Sequence, residues 1–336
     1  MESVSSDESY INEARKIITE KTGLCIAGGG VLGIAEVGAL NRWIDHGGDL
    51  RKLTHVVGSS VGSIISTIIT NGGDIEYIKQ IIGDLDLKKF KDGPNVFSKL
   101  WNLFRKFGWY SGDYLKGQCE TIVEELTGNG NITMLEAYEI SGVHLTITYN
   151  SLNFEDVFYI DHITEPTTMM KDAMQMSCRY PLFFHAFFRP YTNSNGKKCN
   201  DVIIDGGTID NFPLHVLREQ GLSDRKIFGL KLCSSDDIKE YALESGTNKK
   251  YDFGEPKKVM TYASRLLNLM RKTAMKEHVR AKDWMLTTKI FVGNMSSMDL
   301  DITKEEKYEL FKNGETSIDQ LVLDTAILLE KGEYPV

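Results

Sequence analysis

Two short stretches carry the residue types that nucleophilic ester chemistry needs. In Gly58-Ser59-Ser60-Val61-Gly62 a serine stands at the centre of G-x-S-x-G, after the apolar run 53–57 and before the apolar stretch 63–70. That is the setting of a nucleophile elbow, a tight strand-to-helix turn that pushes a hydroxyl out of the backbone. Glycine at 58 and 62 leaves room for the neighbouring strand and helix. Asp205-Gly206-Gly207 follows Val202-Ile203-Ile204 and offers a carboxylate at the end of a second apolar run. A serine hydroxyl is a poor nucleophile at neutral pH and requires a base, plus donors for the developing oxyanion. Ser60 with Asp205 as its base would make a hydrolase.

Donors are offered by Gly28-Gly29-Gly30-Val31-Leu32-Gly33, which follows the buried-strand signal 24–27 and precedes a helical pattern over 33–45. Backbone N–H groups at such a helix start suit an oxyanion or a phosphate. The same letters satisfy G-x-G-x-x-G, the fingerprint of dinucleotide binding. That fingerprint wants an acid at the end of the next strand, and here the next strand ends in Gly58-Ser59-Ser60. The oxyanion reading is therefore preferred over a dinucleotide site.

The elements that must hold these residues read as β-α-β-α: a strand at 24–27, a helix at 33–45, a strand at 53–57 and a helix at 61–70. This order builds a parallel sheet covered by helices. Further helices are expected at 74–83 and 113–127, and strands at 143–149, 155–160, 202–204, 227–232 and 288–292. A polar loop is expected over 234–256, a long helix over 257–282 and a last helix over 303–331. The fold class is α/β, with a parallel-rich central sheet flanked by helices and a helical C-terminal extension.

The chain of 336 residues has 41% hydrophobic and 26% charged residues, enough to bury a full core. Its net charge of −8 argues against nucleic acid as a partner. The five cysteines lack C-x-x-C spacing and read as reduced thiols, without disulfides or structural zinc. No D-x-D-x-D-G loop occurs, so neither a metal nor a cofactor is expected. The N-terminal residues are polar and acidic, unlike a signal peptide, and the longest apolar tract is too short to span a bilayer. A cytoplasmic protein with peripheral membrane contact is the expectation.

Four ordered blocks carry a family resemblance over about residues 21–235. Gly28 to Gly33 resembles the glycine-rich oxyanion block of the patatin-like phospholipases, and Gly58 to Gly62 resembles their nucleophile elbow. Ala173-Met174-Gln175-Met176-Ser177-Cys178-Arg179-Tyr180-Pro181 resembles their A-x-x-x-S-x-x-x-P block. Asp205-Gly206-Gly207 with Asn211 and Pro213 resembles their D-G-G/A-x-x-x-N-x-P block. The resemblance implies a three-layer sandwich and a calcium-independent lipid acyl hydrolase acting on phospholipids or other acyl lipids at a membrane surface. It implies a Ser60–Asp205 dyad working through an acyl-enzyme. The oxyanion donors would be Gly28, Gly29, Gly30 and Val31, supported by Gly33, Gly58, Gly62, Gly206 and Gly207. One departure is Leu32, where the family usually carries Arg or Lys. The resemblance divides the chain into a polar arm and helix (1–20), a catalytic domain (21–235) and an extension packed on the same domain (236–336). A protein activator is compatible with this reading but not readable from the residues.

Other readings stay open at this point. A Ser–His–Asp esterase on small soluble esters would place its histidine after Asp205, at His215 or His278. An idle lipid-binding protein is a further alternative. Two segments invite lipid contact: the aromatics Phe97, Trp101, Phe104 and Phe107 at helical spacing, and the basic helix expected over 257–282. For both, packing against the domain is the preferred expectation.

Overall fold

A computed structural model describes residues 8–93, 96–234 and 286–334, with isolated positions 265–266, 269–270 and 283 between the last two segments. The long helix expected over 257–282 and His278 thus lie largely outside the described residues. Of that helix's expected apolar stripe, Leu266 and Met270 are described, and both are exposed.

The chain begins with helix α1 (Glu8–Thr19), strand β1 (Gly23–Ile26) and helix α2 (Gly33–Asp45). Strand β2 (His55–Gly58) leads into α3 (Val61–Thr70), followed by α4 (Ile75–Asp84) and α5 (Val96–Lys106). Then come β3 (Gly108–Tyr110), α6 (Asp113–Thr127), α7 (Met134–Ser141) and the hairpin of β4 (His144–Ser151) with β5 (Asp156–Ile160). Helix α8 (Met170–Ser177) precedes β6 (Leu182–Phe184), β7 (Phe187–Thr192) and β8 (Lys198–Asp205). The remaining elements are α9 (Leu214–Glu219), β9 (Ile227–Cys233), β10 (Thr287–Phe291) and α10 (Lys304–Glu330).

The main sheet has eight strands in the order β10-β9-β1-β2-β4-β8-β7, with β5 paired to β4, and β3 pairs with β6 in a separate ribbon. From β10 to β4 every neighbour is parallel, whereas β8, β7 and β5 are added antiparallel. The sheet is covered on both faces, and strand alternation explains how. Leu24 and Ile26 of β1 enter the large core with α2 and α3, while Cys25 and Ala27 enter a smaller one with Phe212, Leu214 and Leu217 around α9. β1 and β2 are therefore central, apolar but for His55 at the start of β2, and their C-terminal ends present the two glycine-rich turns at one end of the parallel strands.

The C-terminal helix is joined to this layer by backbone-to-backbone approach. Gly314 of α10 lies against the Ala35 carbonyl of α2, and Gly38 of α2 lies against the Phe311 carbonyl of α10. Any side chain at either site would overlap backbone, which cannot swing aside. Around this crossing Asn41 donates to Glu315 at 3.0 Å, and Arg42 meets Asp319 at 2.8 Å. Because α2 starts at the glycine loop, α10 braces the loop from behind. Gly314→Val should therefore cost about 1–3 kcal/mol of stability, read as a lower urea midpoint; an unchanged midpoint would show that the helices can part without penalty.

Candidate active site

Ser60 occupies the sharp turn between β2 and α3 with φ 51° and ψ −127°. Only a close-fitting environment holds a side-chain-bearing residue there. Gly58 and Gly62 supply the fit: a Cβ at Gly58 would strike the Gly62 carbonyl, and one at Gly62 would strike the carbonyls of Ile26 and Ala27. Three hydroxyl contacts then fix the turn. The Ser60 amide donates to Ser177 Oγ at 2.9 Å, Ser63 Oγ donates to the Ser60 carbonyl at 2.6 Å, and Ser60 Oγ donates to Asp205 Oδ2 at 2.6 Å.

Asp205 ends β8 and is almost fully buried. Its Oδ1 accepts the Gly207 amide at 2.7 Å, which turns Oδ2 toward Ser60. Its own amide donates to the Arg179 carbonyl at 2.9 Å, and its carbonyl accepts Asn150 Nδ2 at 2.6 Å. Gly206 fits against Thr148 of β4, where a Cβ would collide with backbone. The Gly207 amide thus holds the carboxylate, and β4 holds the backbone that carries it.

The glycine loop closes the third side. Asn211 Nδ2 donates to the Gly28 carbonyl at 2.8 Å, and the Gly28 amide donates to the Asn211 carbonyl at 3.1 Å. This reciprocal pair ties the loop to the Asp205 turn. Val31 donates its amide to the Ser297 carbonyl at 3.1 Å. Of the four amides expected to face an oxyanion, those of Gly28 and Val31 are therefore spent. The Gly29 and Gly30 amides make no hydrogen bond within the described structure. Gly33 opens α2 and abuts Val61, so the loop and the elbow pack directly on each other. Leu32, at the position where the family usually carries Arg or Lys, is buried in the main core.

Ser60, Asp205 and the loop meet at the floor of a cavity of about 940 Å³ including its open mouth. Its walls are apolar, with Ile34, Ile64, Leu87, Leu115, Phe183 and Phe184 among them. No histidine lines it among the described residues. His215 instead meets the Tyr159 hydroxyl at 3.2 Å, and that hydroxyl donates to Asp210 at 2.7 Å. His144 meets Asp161 at 3.0 Å, and His46 meets Asp319 at 2.8 Å.

Four contributors escaped the sequence reading: Ser63, Asn150, Ser297 and the role of Ser177. Ser63 was the most accessible of them, since a hydroxyl three residues after Ser60 falls in the same helical turn. Asn150 and Ser297 come from remote segments and carry no local signal.

Comparison with known proteins gives the family and the fold. The family model for patatin-like phospholipases matches residues 24–218, and the chain belongs to that family. An uncharacterized protein, R571, of Acanthamoeba polyphaga mimivirus is 27% identical over 320 residues, covering 93% of this chain and 98% of that protein. Triacylglycerol lipase 4 of Saccharomyces cerevisiae is 26% identical over 238 residues, covering 63% of this chain but 24% of the lipase. Among solved structures, VipD from Legionella pneumophila shares the fold with a TM-score of 0.57 and 18% identity, over 91% of this chain and 67% of that one.

One buried acid lies in the first turn of the helix that follows the loop. Glu36 of α2 has no exposed surface, and neither carboxyl oxygen has a hydrogen-bond partner. The nearby Ala27 amide, which would favour the ionised form, already donates to the Leu230 carbonyl at 3.1 Å. Burial therefore pushes the Glu36 carboxyl well above the ordinary carboxylate range. The folded protein keeps this proton while the unfolded chain releases it, so stability is lost as pH rises above the unfolded value. Glu36→Gln removes that dependence. Its melting temperature should gain on wild type as the pH is raised from about 5 to about 8; a constant difference would mean that Glu36 is ionised in the fold.

Proposed function

We propose that this protein hydrolyses fatty acyl esters of phospholipids through a Ser60–Asp205 dyad and an acyl-enzyme. The family is one of lipid ester hydrolases, which fixes the class. The single observation that carries the finer reading is the 2.6 Å contact from Ser60 Oγ to Asp205 Oδ2 at the floor of an apolar cavity. An acyl chain fits such walls, since burying each methylene gains about 0.8 kcal/mol.

In the first half-reaction Ser60 Oγ attacks the ester carbonyl carbon as its proton passes to Asp205 Oδ2. An aspartate of ordinary acidity is a weak base at neutral pH, and a fixed short contact offsets part of that deficit. The carbonyl oxygen becomes an oxyanion facing the amides of Gly29 and Gly30, at the start of α2 where the helix dipole favours negative charge. The tetrahedral intermediate collapses, the alcohol leaves with the proton from Asp205, and the acyl group stays on Ser60. Water then attacks the acyl-enzyme and gives its proton to Asp205. Collapse returns that proton to Ser60 Oγ and releases the fatty acid. The cycle uses no metal ion.

A Ser–His–Asp mechanism finds less support. Its candidate His215 is engaged with Tyr159 and belongs to a different side-chain cluster from Ser60.

Fatty-acid release from mixed phospholipid vesicles in the presence of chelator tests the reading. Wild type should be active, and Ser60→Ala and Asp205→Asn should each lose about 10²–10⁴-fold or more in rate. His215→Ala should retain activity. Loss on chelation, or a dead histidine variant with an active Asp205→Asn, would overturn the dyad. Activity confined to small soluble esters would overturn the lipid substrate.

A further inference from the structure

An aromatic patch on α5 and β7 is open among the described residues. Trp101 and Phe104 on α5 are 60% and 77% exposed, Phe107 at its end is 46% exposed, and Phe188 on β7 is 38% exposed. The Phe107 and Phe188 rings lie 6.2 Å apart, which joins the two elements into one surface. Phe107 is held there at φ 59°, a state that bulky side chains avoid. Sequence reading favours packing of these aromatics into a core, and the described ones are turned outward instead.

This patch is mechanically part of the cavity. β3 leaves α5 and pairs with β6, Gly108 with Leu182 and Tyr110 with Phe184. The Ala186 amide donates to the Lys106 carbonyl at 2.9 Å, and the His185 amide to the Tyr110 carbonyl at 2.8 Å. Phe183 and Phe184, from the segment so stitched, line the cavity on its inner side. A surface that engaged the patch would therefore be brought to the wall behind which Ser60 lies.

The charge around the patch has the sign opposite to the protein's. The sequence of α5 contains Lys99, Arg105 and Lys106 and no acid, in a chain whose net charge is −8. Arg105 and Lys106 are exposed, and the Arg105 guanidinium lies 4.8 Å from the centre of the Trp101 ring. Tryptophan and phenylalanine bordered by basic side chains suit the bilayer interface, with rings among the acyl ends and cations among anionic headgroups. A second copy of this chain is a poorer occupant. A two-fold contact would set the Arg105 and Lys106 side chains of one copy against those of the other.

We propose that Trp101, Phe104, Phe107 and Phe188, flanked by Arg105 and Lys106, form the surface that docks this protein on an anionic phospholipid bilayer. This inference rests on the lipid-hydrolase reading for its purpose, but the docking itself needs no turnover. It names how the active-site wall is presented to an aggregated substrate.

The test separates the two. Ser60→Ala protein is sedimented with vesicles of phosphatidylcholine alone and with added phosphatidylserine. It should bind the anionic vesicles preferentially. Trp101→Ser/Phe104→Ser should weaken that binding roughly tenfold or more, and Arg105→Glu/Lys106→Glu should abolish the preference for phosphatidylserine. In the Ser60-containing background the same substitutions should leave hydrolysis of a short soluble ester unchanged, which reports an intact fold. As a second readout, the emission lost in Trp101→Phe should be blue-shifted by vesicles. Vesicle binding by the double-serine variant equal to its parent, or no binding by the parent, would overturn the proposal. A dimer in sedimentation velocity that the same variants disperse would also overturn it, assigning the patch to contact between copies. Binding by wild type without fatty-acid release would leave the surface standing and remove the hydrolase reading.

Discussion

Ser60 is held at φ 51°, and much of the site is an arrangement for keeping it there. A backbone in that region costs about 1–3 kcal/mol and persists only where its surroundings impose it. Here the imposition comes from several directions at once. Gly58 and Gly62 remove the side chains that would forbid the turn, Ser177 and Ser63 hold the amide and the carbonyl, and Asp205 takes the hydroxyl. These contacts come from β2, α3, α8 and β8, so the turn depends on the sheet order that brings β2 and β8 to either side of β4. The parallel centre of the sheet sets the two glycine-rich turns at one end of its strands. The antiparallel addition of β8 then brings Asp205 to the same end from the opposite chain direction.

The same economy applies to charge. The cavity that Ser60 lines is largely apolar, Leu32 is buried where the family usually carries a cation, and the Gly28 and Val31 amides are already engaged. In the proposed mechanism the oxyanion would therefore depend on the Gly29 and Gly30 amides and the dipole of α2, with no side-chain cation at position 32. That helix carries a buried Glu36, whose carboxyl is pushed by burial well above the ordinary range, and is braced by the Gly38–Gly314 crossing with α10. The C-terminal helix, remote in sequence from the family blocks, thus stands directly behind the loop.

The central sheet elements were legible because their signals are local. The run at 24–27 is apolar, as is Val56-Val57 at the end of 53–57, and the helices at 33–45, 61–70 and 113–127 follow from apolar spacing and glycine stops. The hairpin of β7 and β8 was legible only at its end, 202–204. β7 is an edge strand with alternate residues exposed and Pro190 within it, which edge strands tolerate but which breaks the apolar signal. Of the site, the residues in the four motif blocks could be read from the chain, because turn geometry demands glycine and chemistry demands serine and aspartate. Asn150 and Ser297 could not, since their contacts depend on long-range pairing. The exposure of Trp101 and Phe104 was likewise beyond reach, because helical spacing of aromatics looks the same whether the face is buried or open.

The most direct test of the central claim is covalent. Protein treated with a fluorophosphonate acyl mimic and digested for peptide mass analysis should carry one adduct on Ser60. The labelling rate should fall sharply in Asp205→Asn and stay unchanged in His215→Ala. An adduct on another residue, or a rate indifferent to Asp205, would contradict the account.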